Sequence, residues 1–173
     1  MKYTIREVTE NELTDVAKVI RLSHGTVAKE FGLTEDNCPT NGAFLQVNRL
    51  HQERENGDLM YGLFVYDELV GFMQLEEREP KCYELKKLSV IPNYRHLGLG
   101  KNLIEYAKEV VRERRGRRVT IGIIEENNRL RQWYLKNGFI HTGTKNFERL
   151  PFTVGFMEMD IGYCSLVPHS QQH

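Results

Sequence analysis

The sequence predicts an α/β protein, and three observations carry that prediction. Apolar or β-branched runs of strand length alternate with stretches of helical period all the way from Tyr3 to Ile161. One such run, Tyr83 to Val90, leads through a turn holding Gly98 and Gly100 into an amphipathic segment ending at Glu113. A β-branched run, Arg117 to Ile124, follows at once, and strands alternating with helices are the mark of the α/β class.

Each element has its own local reason. Tyr3 to Val8 reads as the first strand, and Thr9 with Glu12 has capping-box spacing for a helix whose Leu13, Val16, Val19 and Ile20 share one face. Gly32 to Gly42 gathers Asn, Pro, Thr and Gly and reads as a loop. Phe44, Val47 and Leu50 predict a second helix, capped by Thr40 or Asn41. Met60 to Tyr66 and Leu69 to Leu75 predict a hairpin turning at Asp67-Glu68, with Gly71 marking a bulge. Tyr83 to Val90 is the next strand, stopped by Pro92. The helix from Gly98 to Glu113 carries Leu99, Leu103, Tyr106, Ala107, Val110 and Val111 on one side. Arg112, Arg114 and Arg115 before Gly116 suit the negative end of its dipole and a glycine cap. A strand to Ile124, a helix through Tyr134, a strand near Phe139 to Lys145 and a last strand from Phe152 to Ile161 complete the order. No repeat, low-complexity tract or linker interrupts it. Residues 1–165 are therefore expected to form one domain and 166–173 a polar tail.

Composition narrows the function. Of 173 residues 40% are apolar, enough for one domain with a real core. Lys plus Arg and Asp plus Glu number 24 each, so no overall field favours nucleic acid or an anionic membrane. The opening Met1-Lys2-Tyr3-Thr4-Ile5-Arg6-Glu7 lacks the apolar core of a signal peptide, and no apolar run reaches the length of a membrane span. Cys38, Cys82 and Cys164 are odd in number and far apart, which argues against a disulfide framework and against a zinc site. A cytoplasmic protein with reduced thiols and no metal is the expectation.

The chemistry concentrates in Leu88-Ser89-Val90-Ile91-Pro92-Asn93-Tyr94-Arg95-His96-Leu97-Gly98-Leu99-Gly100-Lys101. Glycines allow the backbone to turn tightly and to lie against a ligand. The following helix aims its unpaired N–H groups and positive dipole end at that place, and a phosphate or pyrophosphate is the natural occupant. Spacing separates the alternatives. The dinucleotide fingerprint needs glycine at position 103, which is Leu, and the P-loop needs Ser or Thr at 102, which is Asn. What remains is Arg95-x-x-Gly98-x-Gly100. One strand downstream, Asn127 is followed after six residues by Tyr134 and, after three more, by Gly138-Phe139.

Across residues 82 to 139 these two motifs resemble those of the GCN5-related N-acetyltransferase (GNAT) superfamily. The resemblance implies a mixed central sheet with helices on both faces, acetyl-CoA as co-substrate, and direct transfer in a ternary complex without a covalent enzyme intermediate. It implies that a bulge frees main-chain groups near Leu88, Ser89 and Val90 for the pantetheine amides. Arg95, His96, Leu97, Gly98, Leu99, Gly100 and Lys101 would surround the pyrophosphate, Arg95 through its fork of donors and Lys101 as a point charge or merely as a solvated helix residue. Asn127 would hydrogen-bond the pantetheine, although Asn also caps helices well.

An amine attacks only as the free base, so a proton must be removed. Glu84, eleven residues before Arg95, matches the base of the superfamily's histone-type branch, and its bland alternative is pairing with Lys86 or Lys87. Ordered water is the rival base, and Glu77, Glu125, Glu126 and His141 are further ionisable candidates. The departing thiolate needs an acid, and Tyr134 matches the tyrosine that lies beside the CoA sulfur in the superfamily. A core tyrosine with a satisfied hydroxyl is the alternative. Trp133 reads as packing. Cys82 could in principle carry the acetyl group, but unpaired cysteines are usually buried small hydrophobes.

The acceptor is set by loop shape. Residues 22–59 and 146–152 are the loops concerned, and the expectation is a small-molecule amine. A protein N-terminus or lysine is the alternative acceptor, and a non-catalytic acyl-CoA sensor the alternative function. A homodimer would be an ordinary assembly.

Overall fold

The computed structural model describes residues 1–162 of the 173. Cys164 and the expected tail at 166–173 lie outside the described residues. Seven strands form one sheet in the order β1-β2-β3-β4-β5-β7-β6. They are β1 (Tyr3–Glu7), β2 (Leu59–Val65), β3 (Glu68–Glu79), β4 (Cys82–Val90), β5 (Arg118–Ile124), β6 (Ile140–Asn146) and β7 (Thr153–Asp160). Among the described residues only β4 and β5 run parallel; every other neighbouring pair is antiparallel. Helices α1 (Leu13–Glu30) and α2 (Val47–Glu55) cover one face, and α3 (Leu99–Glu113) and α4 (Asn128–Lys136) the other.

Two cores follow from strand alternation. Leu63, Met73, Leu75, Tyr83, Leu85, Ile121 and Met157 point toward α3 and α4, where Leu103, Ile104, Ala107, Val111 and Tyr134 meet them. Phe72 and Met60 point the other way, against Val16, Ile20 and Leu50. Among the described residues no helix is long and apolar enough to cross a membrane.

Several local expectations are corrected. Thr9 and Glu12 do form a capping box, but around a short 3-10 turn, Glu10–Glu12, that precedes α1. Asn41 caps a separate 3-10 turn, Gly42–Phe44, by accepting from the Ala43 N–H, so Phe44 lies outside α2. The hairpin turns at Tyr66-Asp67, one residue early, with φ of +49° and +66°. Gly71 pairs normally, and the residue left over in the β2–β3 register is its neighbour Val70. At the end of α3 it is Arg115, at φ +58°, that takes the left-handed position. Gly116 comes one place later and donates to the Val111 carbonyl at 2.7 Å, closing a Schellman motif.

Candidate active site

A gap opens between the two parallel strands. Cys82, Tyr83 and Glu84 face Arg118, Val119 and Thr120, and the ladder stops there. Both strands nevertheless continue, β4 to Val90 and β5 to Ile124. From Leu85 and Ile121 onward their facing edges no longer pair with each other. The cause lies on the other side of β4. Phe72 pairs with Ser89 and Gln74 with Lys86, so one residue of β3 spans two of β4. Lys87 absorbs the extra residue at φ +54°. A bulge of this kind bends a strand and sharpens its twist, and it lies next to Leu88, Ser89 and Val90, as expected.

Beyond the gap lies the glycine turn. Gly98, at φ +80°, is the N-cap of α3, and no side chain caps the helix. His96 is also left-handed at φ +62°. The first amide of α3 to find a partner is that of Asn102, which donates to the Gly98 carbonyl. The N–H groups of Leu99, Gly100 and Lys101 are therefore left outward at the positive end of a 15-residue helix. His96, Leu97, Gly98 and Lys101 are exposed around them.

Two residues of this motif have neighbours that the motif does not predict. Arg95 turns its fork away from the turn: Nε donates to the Val90 carbonyl at 3.1 Å, Nη1 to Thr26 Oγ1 at 3.0 Å and Nη2 to the Ser23 carbonyl at 2.9 Å. It fastens the end of β4 to α1 instead of reaching for a phosphate. Gly100 is small for a neighbour as well as for a ligand, because a Cβ there would stand 3.1 Å from the Trp133 ring.

On α4, Asn127 is the N-cap, its Oδ1 accepting from the Leu130 N–H at 3.2 Å. The capping role is thus real, and it leaves the carboxamide NH₂ for another partner. Tyr134 is buried, edge-on to Trp133 and Phe139 at 5.0 and 5.3 Å. Burial alone pushes its phenol well above the usual tyrosine range.

Glu84 alternates with Tyr83 and Leu85 and so points to the α2 face, opposite Tyr134. It sits at the last β4–β5 pair, where the gap begins. Its partner is Arg78, at 2.6 Å, and neither Lys86 nor Lys87. Those lysines belong to a polar network that sequence reasoning missed. Lys87 Nζ meets Glu53 Oε2 at 2.6 Å and Gln74 Oε1 at 3.2 Å, while Lys86 meets Glu76 and Asp58 at 2.8 and 3.3 Å. Lys87 and Lys86 with neighbouring hydrogen bonds hold the Glu53 carboxyl down at about 2 against the opposing cost of its burial. A cleft of about 500 Å³ opens beside this network, lined by Glu53, Asp58, Glu76, Glu77, Arg78 and Lys86 among others. Glu76 lies directly across from Glu84.

His24 was also missed. Its ring lies under Gly42 and is hydrogen-bonded to the Leu88 backbone, and burial, with Lys87 and Arg95 nearby, lowers its pKa to about 4. Its Nε2 is buried without a partner among the described residues. A lone histidine in a helix carries no periodic signal that could have singled it out.

Of the other ionisable candidates Glu77 lines the same cleft, and the rest are placed elsewhere. Glu125 accepts from Arg131 at 2.6 Å and meets His141 Nε2 at 2.9 Å, beyond the end of β5. Glu126 accepts from the Thr153 N–H and Glu77 from the Lys81 N–H. Cys82 opens β4, in register with Glu79 and Arg118. The two loop segments expected to shape the acceptor site meet: Leu33 and Cys38 pack with Ile124, and Leu150 and Phe152 close on the same cluster.

The family model of acetyltransferases (GNAT) matches residues 31–139. An uncharacterised N-acetyltransferase from the pepI 3′ region of Lactobacillus delbrueckii subsp. lactis is 28% identical over 137 residues, 72% of this chain and 78% of that one. The fold is similar to that of PaiA N-acetyltransferase from Thermoplasma acidophilum in complex with coenzyme A, with a TM-score of 0.74 and 22% identity over 92% of this chain and 99% of that one. It is similar too to the ribosomal-protein-S18-alanine N-acetyltransferase of Escherichia coli, with a TM-score of 0.75 and 14% identity over 99% of this chain and 100% of that one.

Proposed function

The chain belongs to the acetyltransferase (GNAT) family and is an N-acetyltransferase, and we propose that it moves an acetyl group from acetyl-CoA to the primary amine of a small molecule by direct attack. The observation that carries this reading is the gap between β4 and β5, which opens beyond Glu84 and Thr120 toward the uncapped start of α3. Main-chain groups of Leu88, Ser89 and Val90 beside the bulge suit the pantetheine amides. The free amides of Leu99, Gly100 and Lys101, with the Lys101 ammonium, suit a pyrophosphate. The Asn127 NH₂ adds a donor, and Arg95 contributes through the strand it fastens.

The two faces of the sheet then divide the proton work. Glu84 removes a proton from the acceptor ammonium, directly or through a water, after Arg78 swings aside; that arginine side chain is 59% exposed and free to do so. From the opposite face the Tyr134 hydroxyl donates to the sulfur as the thioester C–S bond breaks. The acetyl carbon exchanges its bond to sulfur for one to nitrogen, and sulfur keeps the C–S electron pair and takes the Tyr134 proton. The proton still on nitrogen passes through solvent to the phenolate, leaving amide, free thiol and one proton on Glu84. Nothing in this scheme needs Cys82.

The cleft beside Glu76 favours a small acceptor. Its volume of about 500 Å³ falls within the range of small-molecule sites, and its carboxylates suit a cation. The test is a panel of diamines, amino sugars, amino acids and short peptides with acetyl-CoA, read by release of free thiol. Turnover of small amines is expected. Turnover confined to peptides would move the acceptor to proteins, and none with any amine would favour a sensor.

A further inference from the structure

We propose that the buried pair of Lys87 and Glu53 is the pin that holds the β4 bulge, so that α2 sets the position of the main-chain groups at Leu88 to Val90 and with it the affinity for acyl-CoA. The inference rests on the reading above that those groups meet the acyl-CoA.

Three observations converge on Lys87. Its backbone is left-handed at φ +54°, a conformation that costs a residue with a Cβ about 1 kcal/mol or more and persists only where the surroundings impose it. With Leu88 it stands opposite Met73 alone, where β4 outgrows β3 in register. Its side chain is only 9% exposed and ends in a 2.6 Å contact with Glu53, backed by Gln74 at 3.2 Å. Gln74 is fully buried, and its own NH₂ donates to Glu53 at 2.8 Å and to Asp58 at 2.5 Å. Arg49 holds the other Glu53 oxygen at 3.0 Å from one turn earlier in α2. The strained residue is thus tied to a helix by a network whose members fix one another. A glycine would adopt the same φ freely. The side chain at this position is therefore explained by what it grips, not by what the backbone needs.

The geometry makes Lys87 and Glu53 positioning residues; neither touches the reacting atoms. The test uses Lys87→Gly, which keeps the bulge conformation accessible and removes the grip, with Glu53→Gln as a second route to the same loss and Lys87→Arg as the conservative variant. Calorimetry with coenzyme A gives affinity at a temperature where each variant is folded. Hydrogen exchange without ligand gives the local state of the Ser89 to Ile91 amides, with Val119 to Ile123 as the reference ladder. Lys87→Gly and Glu53→Gln should each weaken coenzyme A binding by about 10-fold to 10²-fold, the size of effect that a small misplacement produces. Both should speed exchange at Ser89 to Ile91 and leave Val119 to Ile123 unchanged, and Lys87→Arg should behave as wild type. Affinity within twofold of wild type in both variants, or exchange rising equally in both ladders, overturns the pin. Failure of the wild type to bind coenzyme A would instead overturn the cofactor reading, and the exchange result would still decide whether Lys87 and Glu53 hold the strand.

Discussion

Tyr134 and Glu84 lie on opposite faces of one sheet, which is the placement that the proposed division of acid and base work requires. Burial raises the Tyr134 phenol above the usual tyrosine range, toward the protonated form. Tyr134→Phe removes the hydroxyl but keeps the ring contacts with Trp133 and Phe139, so coenzyme A affinity should stay within a few-fold while kcat falls about 10²-fold. Glu84→Gln should lower kcat/KM most at the acidic end of the pH profile, where the acceptor is still protonated. Unchanged kcat with chemistry rate-limiting removes Tyr134 from the mechanism, and an unchanged profile assigns the base to water. At this scale the spacing of Asn127, Tyr134, Gly138 and Phe139 made the α4 residues legible. The destination of Arg95 was not, because Ser23 and Thr26 lie 72 and 69 residues away. The partner of Glu84 was hidden for a different reason: Arg78 is near in sequence but reaches Glu84 only once β3 and β4 have paired.

Among the elements, the glycines show how the same residue type serves three ends. A Cβ at Gly98 would meet nothing, and its φ of +80° alone makes substitution costly. At Gly100 it would press on Trp133, and at Gly116 it would overlap Val111 and crowd Tyr83. Thermal melts with and without acetyl-CoA separate these roles. Gly116→Ala should lower Tm the most of the three alanine variants yet keep the ligand-induced rise in Tm. Gly98→Val and Gly100→Val should abolish that rise. A full rise in both valine variants contradicts the turn as the phosphate site. The turn and the helix after it were legible because a strand, two glycines and an apolar stripe follow in one continuous segment. The start of α2 was not, since Asn41 caps a short turn and the helix begins only at Val47. Asn41 is chemically suited to either task.

For the whole molecule, the order of elements along the chain was readable and their order in the sheet was not. Placing β7 between β5 and β6 joins Ile123 to Gly155 and His141 to Met157, contacts that no local pattern encodes. The same arrangement brings Phe31, Leu33, Cys38, Ala43, Leu150 and Phe152 onto Ile124, so this cluster is built from pieces distant in sequence. The central claim is that the parting of β4 from β5 and the uncapped start of α3 form one acyl-CoA site. Hydrogen exchange with and without coenzyme A tests it most directly, because the free amides at issue are themselves the reporters. Coenzyme A should slow exchange in residues 85–90 and 96–102 and leave the β1–β2 and β6–β7 ladders unchanged. Binding with no slowing in either segment, or with protection placed elsewhere, contradicts the account.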